Sequence, residues 1–184
     1  SNEDLGSYIN QYIFSESKAK VHLKLIPSNR SSFESGINVT LRNFELDTKE
    51  KDGISNINLE LFGEESFIVT FLQYNYLFPS KLFFETGARL TQNTRKRFYF
   101  EPRFSINKNL SEKLSIEIAV GKYFQFIHKY SHYNSNRGQD QIWIPAGKNI
   151  PPLKSTNLHF AIINNFKNYN FRYEIYSKDI DSLF

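Results

Sequence analysis

At 184 residues, 40% hydrophobic and 16% aromatic, the chain has the length of one ordinary domain, with no compositional step to divide it. Its 23 basic and 19 acidic residues are scattered, so the net charge of +4 describes a mixed surface rather than a basic arm for nucleic acid. Zero Cys excludes disulfide scaffolds, cysteine-ligated zinc and thiol catalysis, and no window of about 18 apolar residues offers a transmembrane helix.

The apolar share is carried by 18 Phe and 11 Tyr together with β-branched residues, a composition that suits pleated, half-buried strands. In chain order, strands are predicted near 8–14, 17–26, 33–45, 66–78, 81–92, 96–107, 113–126, 155–166 and 169–180, with 56–62 either a further strand or the start of the fourth. Ala19, Val21, Leu23 and Leu25 alternate with Lys18, Lys20, His22 and Lys24. Ile37, Val39 and Leu41 then alternate with Gly36, Asn38, Thr40 and Arg42. The clearest period of two is Phe98, Phe100, Pro102, Phe104 and Ile106 against Tyr99, Glu101, Arg103, Ser105 and Asn107. Leu114, Ile116, Ile118 and Val120 repeat it, and Phe171, Tyr173 and Ile175 face away from Arg172 and Glu174.

Connections at Pro79-Ser80, Lys108 to Glu112 and Lys167-Asn168 read as tight turns, whereas 45–56 and 127–154 read as long polar loops. Strands of about ten residues with short turns at one end and longer loops at the other suit a transmembrane β-barrel, since each strand crosses the hydrocarbon tilted. The polar faces carry Glu85, Arg89, Arg97, Glu101, Arg103, Glu117, Arg172 and Glu174, and such mixed charge would form cross-strand ion pairs in a wet lumen. Alternation alone equally allows an antiparallel sheet with one face in water, as in a soluble or surface-attached protein that binds carbohydrate or another ligand.

Catalytic motifs are absent: there is no Gly-rich phosphate loop, no Gly-x-Ser-x-Gly and no His-Glu-x-x-His. Catalytic residues, metal and cofactor are therefore not expected. The loop near 127–152 is the candidate for ligand contact, through His128, Tyr130, His132, Tyr133, Arg137, Asp140 and Trp143, because aromatic faces and a planar guanidinium suit a sugar, siderophore or peptide. The competing reading makes Trp143 and the tyrosines interface aromatics. His128 and His132 have a metal-pair spacing only if the segment is helical; two exposed His on a surface loop are the plainer expectation. Thr94-Arg95-Lys96-Arg97 reads as a charged hairpin tip rather than a nucleic-acid patch.

A resemblance extends over residues 66–184. Tyr76-Leu77-Phe78-Pro79 leads into Leu82 to Leu90 with Gly87-Ala88-Arg89, then Phe98-Tyr99-Phe100-Glu101-Pro102-Arg103-Phe104-Ser105, then Ile118 to Phe126 with Gly121-Lys122-Tyr123-Phe124-Gln125. Ile150-Pro151-Pro152-Leu153 and a close on Tyr176-Ser177-Lys178-Asp179 follow. This order resembles the barrel of TonB-dependent receptors of the Bacteroidetes type. The resemblance implies an all-β, antiparallel up-and-down meander forming part of a transmembrane β-barrel in the bacterial outer membrane. It implies energy-coupled uptake of a nutrient ligand, with outer-membrane lipid, the TonB complex acting through a plug region, and an accessory surface lipoprotein as partners. No plug pattern is visible and the chain contains no Met, so it is expected to be a barrel segment of eight or nine strands from a processed or longer chain.

Overall fold

A computed structural model describes the backbone of residues 7–52, 55–134, 138–146, 150–166 and 168–181. Side chains are described for 13–45, 63–129, 144–146, 150–166 and 168–181. The described residues form ten strands and no helix: β1 Ser7–Ser28, β2 Ser31–Asp52, β3 Ser55–Leu77, β4 Leu82–Asn93, β5 Phe98–Asn109, β6 Leu114–Gln125, β7 Ile127–Asn134, β8 Gly138–Pro145, β9 Leu153–Phe166 and β10 Tyr169–Asp181. Eight of them make one antiparallel sheet in the order β1-β2-β3-β4-β5-β6-β9-β10, and β7 and β8 pair separately between β6 and β9. The fold is thus an all-β up-and-down meander, open at β1 and β10 among the described residues.

The first three strands differ from the sequence expectation. β1 runs unbroken where two strands are predicted, pairing from Ser7↔Lys51 to Leu25↔Phe33. The segment 56–62 is the start of β3, and the expected loop at 45–56 is a continuous ladder that reaches Asp52↔Ser55. Beyond the apolar band a strand needs no alternation, because its backbone ladder alone satisfies the N–H and C=O groups. At roughly 3.3 Å per residue, strands of 22 and 23 residues run about 70 Å, so the β2–β3 hairpin extends well past β4.

The register sorts side chains onto two unlike faces. One row crosses the sheet as Lys24, Glu34, Gln73, Gly87, Arg103, Gly121, Asn157 and Lys178. The opposite face carries Val21, Leu23, Ile37, Val39, Leu72, Phe100, Ile118, Val120, Leu158, Tyr173 and Ile175, all exposed. Their exposure reaches 69% at Val21 and 70% at Ile175, whereas the buried Thr40, Phe67, Val69, Thr91, Glu101 and Ala161 all belong to the ionic face. No second sheet or helix covers the aliphatic face among the described residues. Burial on the ionic side with nothing stacked on it among the described residues, and a ring contact between Phe67 and Phe126 that spans β4 and β5, make the sheet concave toward its charges and convex toward its hydrocarbon.

Candidate functional site on the concave face

The concave face is built around the end of the β5–β6 ladder. Pairing of these strands stops at Arg103↔Gly121, beside Pro102, which has no N–H to continue a ladder. Above that point β6 stays with β9 as far as Gln125↔Leu153. The freed Phe124 N–H donates to Glu101 Oε1 at 3.0 Å. Glu101 is only 2% exposed and also meets the Thr91 hydroxyl at 3.5 Å. Arg89 Nε lies 3.2 Å from its other oxygen, off the hydrogen-bond direction and so an ion pair only. Arg103, one residue past the proline, holds its guanidinium 5.1 Å from the Tyr123 ring centre. Residues of the three resembling passages on β4, β5 and β6 thus meet on one surface.

Above this joint, four rings from β3, β5, the end of β6 and the residue just past it meet in one cluster. Phe126 lies 4.9 Å from Phe67 and 5.0 Å from Tyr99, and Tyr99 lies 5.1 Å from Phe124, centroid to centroid. The Arg42 guanidinium stacks on Phe67 at 5.0 Å. A cleft of about 460 Å³ opens beside the cluster, lined by Phe14, Arg42, Arg89, Phe124, Phe126 and Ile127. Glu65 stands across from Arg42 on the part of β3 that outruns β4. One oxygen of Glu65 is buried without a hydrogen-bond partner, and burial pushes its carboxyl up to about 7 against the opposing pull of Arg42 and Arg95.

Ion pairs cross the face as the mixed charge predicts. Glu16 holds Arg42 at 2.7 Å and Lys18 at 3.0 Å, Glu34 holds Lys24 at 2.7 Å and His22 at 3.3 Å, and Arg172 bridges Glu117 at 2.9 Å and Glu174 at 3.0 Å. The Gln73 amide donates to Glu85 at 3.1 Å. Arg97 instead sits exposed at the β4–β5 turn, where the Asn93 side chain accepts from the backbone N–H of Arg95 and of Arg97.

The region expected as one long loop contains the β7–β8 hairpin, closed at its base by Ala146 N–H donating to the Phe126 carbonyl at 2.8 Å. His128 is 6% exposed at that base, which corrects the expectation of an exposed imidazole. The segment is a strand, so positions 128 and 132 stand about 13 Å apart along it and the helical metal-pair spacing is not realised. The backbone ladder sets Tyr130 opposite Ile142, His132 opposite Asp140, Tyr133 opposite Gln139 and Trp143 opposite Lys129. The side chains of Tyr130, His132, Tyr133, Asp140 and Trp143, and Arg137 altogether, lie outside the described residues. Sequence reasoning missed Phe67, Tyr99, Phe124 and Phe126 as one cluster; the only local signal was Pro102 inside an otherwise regular strand.

No protein-family model matches the sequence, and no curated protein matches it significantly.

Proposed function

We propose that the chain is a segment of an outer-membrane β-barrel of the TonB-dependent receptor type, which passes a nutrient ligand into the cell. One observation carries the membrane part of this reading: the aliphatic face is exposed and convex while the ionic face is concave and more buried. In water that arrangement leaves a large apolar surface uncovered, whereas in a bilayer it turns hydrocarbon to lipid and charge to a lumen. Strands β4, β5 and β6 have 12 residues each, enough for the 9–11 or so that a tilted crossing takes. The connections at one end are all short, and the tall β2–β3 hairpin and the β7–β8 excursion lie at the other together with the short β4–β5 turn, as outer loops would.

The transporter part is supported by how the resembling passages fit one another. Arg89 and Glu101 pair, Pro102 ends a ladder whose freed N–H Glu101 accepts, and Arg103 packs on Tyr123. Separate fragments of sequence thereby become one joint at the mouth of the concave face. In this reading outer loops capture the ligand, the energy-coupled plug rearranges, and the ligand passes along the charged lumen without chemical change. Fractionation of the full polypeptide in its host tests it. Recovery in the outer membrane and extraction only by detergent is the expected result; recovery in the soluble fraction without detergent overturns it.

A further inference from the structure

The charges on the concave face do not balance locally. Of the described carboxylates on the concave side of β1–β5, Glu16 pairs with Arg42 and Lys18, Glu34 with Lys24 and His22, Glu85 with the Gln73 amide and Glu101 with Arg89, while Glu65, which has a buried oxygen without a hydrogen bond, faces Arg42 beyond the end of β4. Lys20 and Arg103 are left over. Among the described residues neither has an acidic partner, and each is held against a ring instead, Lys20 at 5.4 Å from the Phe71 centre and Arg103 at 5.1 Å from that of Tyr123. The Phe71 ring can take this place because Gly36 lies under it, where a Cβ would come within 2.5 Å of the ring.

Both cations line a single cleft of about 390 Å³, together with Lys18, Arg89 and the amides of Asn38 and Gln73. No carboxylate is among its lining residues. An aromatic ring holds a cation in place while leaving its N–H donors free to point elsewhere. Four cations and two amides around one concavity therefore make a surface of donors whose electrostatic complement is a compact anion bearing several oxygens.

We propose that this cleft is a binding site for a small polyanionic solute, one with phosphate, sulfate or clustered carboxylate groups, with Lys20 and Arg103 as its principal contacts. The inference names a ligand class for the transport reading and rests on that reading only for the site's lying along a lumen. Neutral sugars would gain nothing from the two unpaired cations. Polyanions gain two charge-assisted contacts from exposed cations, and the attraction weakens as salt shortens the screening length.

The test is equilibrium binding to the full polypeptide purified in detergent, with inorganic pyrophosphate and citrate as probes and maltotriose as the neutral control. Binding of either anion but not of maltotriose is expected, with affinity falling roughly tenfold for each cation removed in Lys20→Gln and Arg103→Gln. The pair Lys20→Arg and Arg103→Lys keeps the charge and is expected to keep most of the affinity. Each variant is compared only where its strand circular dichroism and heat-shifted gel mobility equal the parent's, so failure to fold is separated from failure to bind. No anion binding by the parent, or equal binding by the doubly neutralised variant, overturns the site. An outer-membrane protein that binds neither anion would leave the transport reading standing and remove this inference alone. Anion displaced from the cleft by an acidic segment of the same polypeptide would appear as binding only after that segment is deleted, and would also overturn it.

Discussion

Phe126, between the end of β6 and the start of β7, reaches Phe67 on β3, their ring centres 4.9 Å apart, and so ties the base of the β7–β8 hairpin to the far side of the concave face. The contact bypasses β4 and β5, which lie between β3 and β6 in the sheet. Aromatic pairs of this geometry contribute about 0.5–1.5 kcal/mol beyond the area they bury. Phe126→Ala is expected to loosen the hairpin at a cost of about 1–2 kcal/mol, and a double-mutant cycle with Phe67→Ala to give a coupling of about 1 kcal/mol. Hydrogen exchange along β7 and β8 reads the loosening; an unchanged exchange pattern would show that the ring only fills space.

Glu101 is the residue whose loss should cost most. It is 2% exposed and serves Arg89, Thr91 and the Phe124 N–H at once. Glu101→Ala leaves a charge and a backbone donor without an acceptor, a change that costs about 3 kcal/mol in comparable sites. Glu101→Gln keeps an acceptor for Phe124 and is expected to cost about half as much. Urea unfolding of the refolded protein in detergent checks both, and equal losses for the two substitutions would mean that the charge alone matters.

The order of these effects explains what the sequence could and could not reveal. Alternation on β4, β5 and β6 was legible because the two faces of the sheet meet unlike surroundings, so Phe98, Phe100 and Phe104 separate cleanly from Tyr99, Glu101 and Arg103. The continuation of β2 and β3 to Asp52 and Ser55 was not legible, since a ladder outside the apolar band is held by backbone groups that every residue supplies. The site divides in the same way. Mixed charge on the polar faces predicted cross-strand ion pairs, but that Arg89 meets Glu101 depends on which residues of β4 and β5 align. The cluster of Phe67 with Phe126 is non-local, and the cations left over at Lys20 and Arg103 become visible only after every neighbouring carboxylate has been matched.

Glu65 gives the molecule a defined pH dependence. Its carboxyl is pushed up to about 7 by burial, so the folded state binds a proton that the unfolded chain releases at its ordinary value of 4.5. Between these values the folded state holds more protons, and linkage makes stability fall as pH rises. The contribution is complete below about pH 4.5 and is lost by the time pH passes about 7. Because the group is only partly sheltered, the loss is expected to be on the order of 1–2 kcal/mol. Glu65→Gln should remove it, leaving the variant more stable than the parent at pH 8 and nearly equal at pH 5. Denaturation midpoints at several pH values would measure this, and parallel curves for the two proteins would exclude Glu65 as the source.

Leu72 offers the sharpest separation of lipid from water. It lies on the convex face of β3, between Ser35 and Ala88, and is 50% exposed. In a sheet bathed by solvent, Leu72→Arg would replace one exposed side chain with another and change stability by no more than about 0.5 kcal/mol. Facing the bilayer interior, the same guanidinium costs about 2–4 kcal/mol at midplane and close to nothing near the interfaces. A series of arginines at Leu72, Val39 and Leu41 should therefore show a cost that varies with position along the strand axis, read as folding yield into vesicles. Uniformly small effects would mean that this face meets water and that the charged concavity is not a lumen. A steep profile would locate the bilayer on the strands, and Lys122 and Lys154, which share the convex face near the ends of β6 and β9, would then mark its upper border.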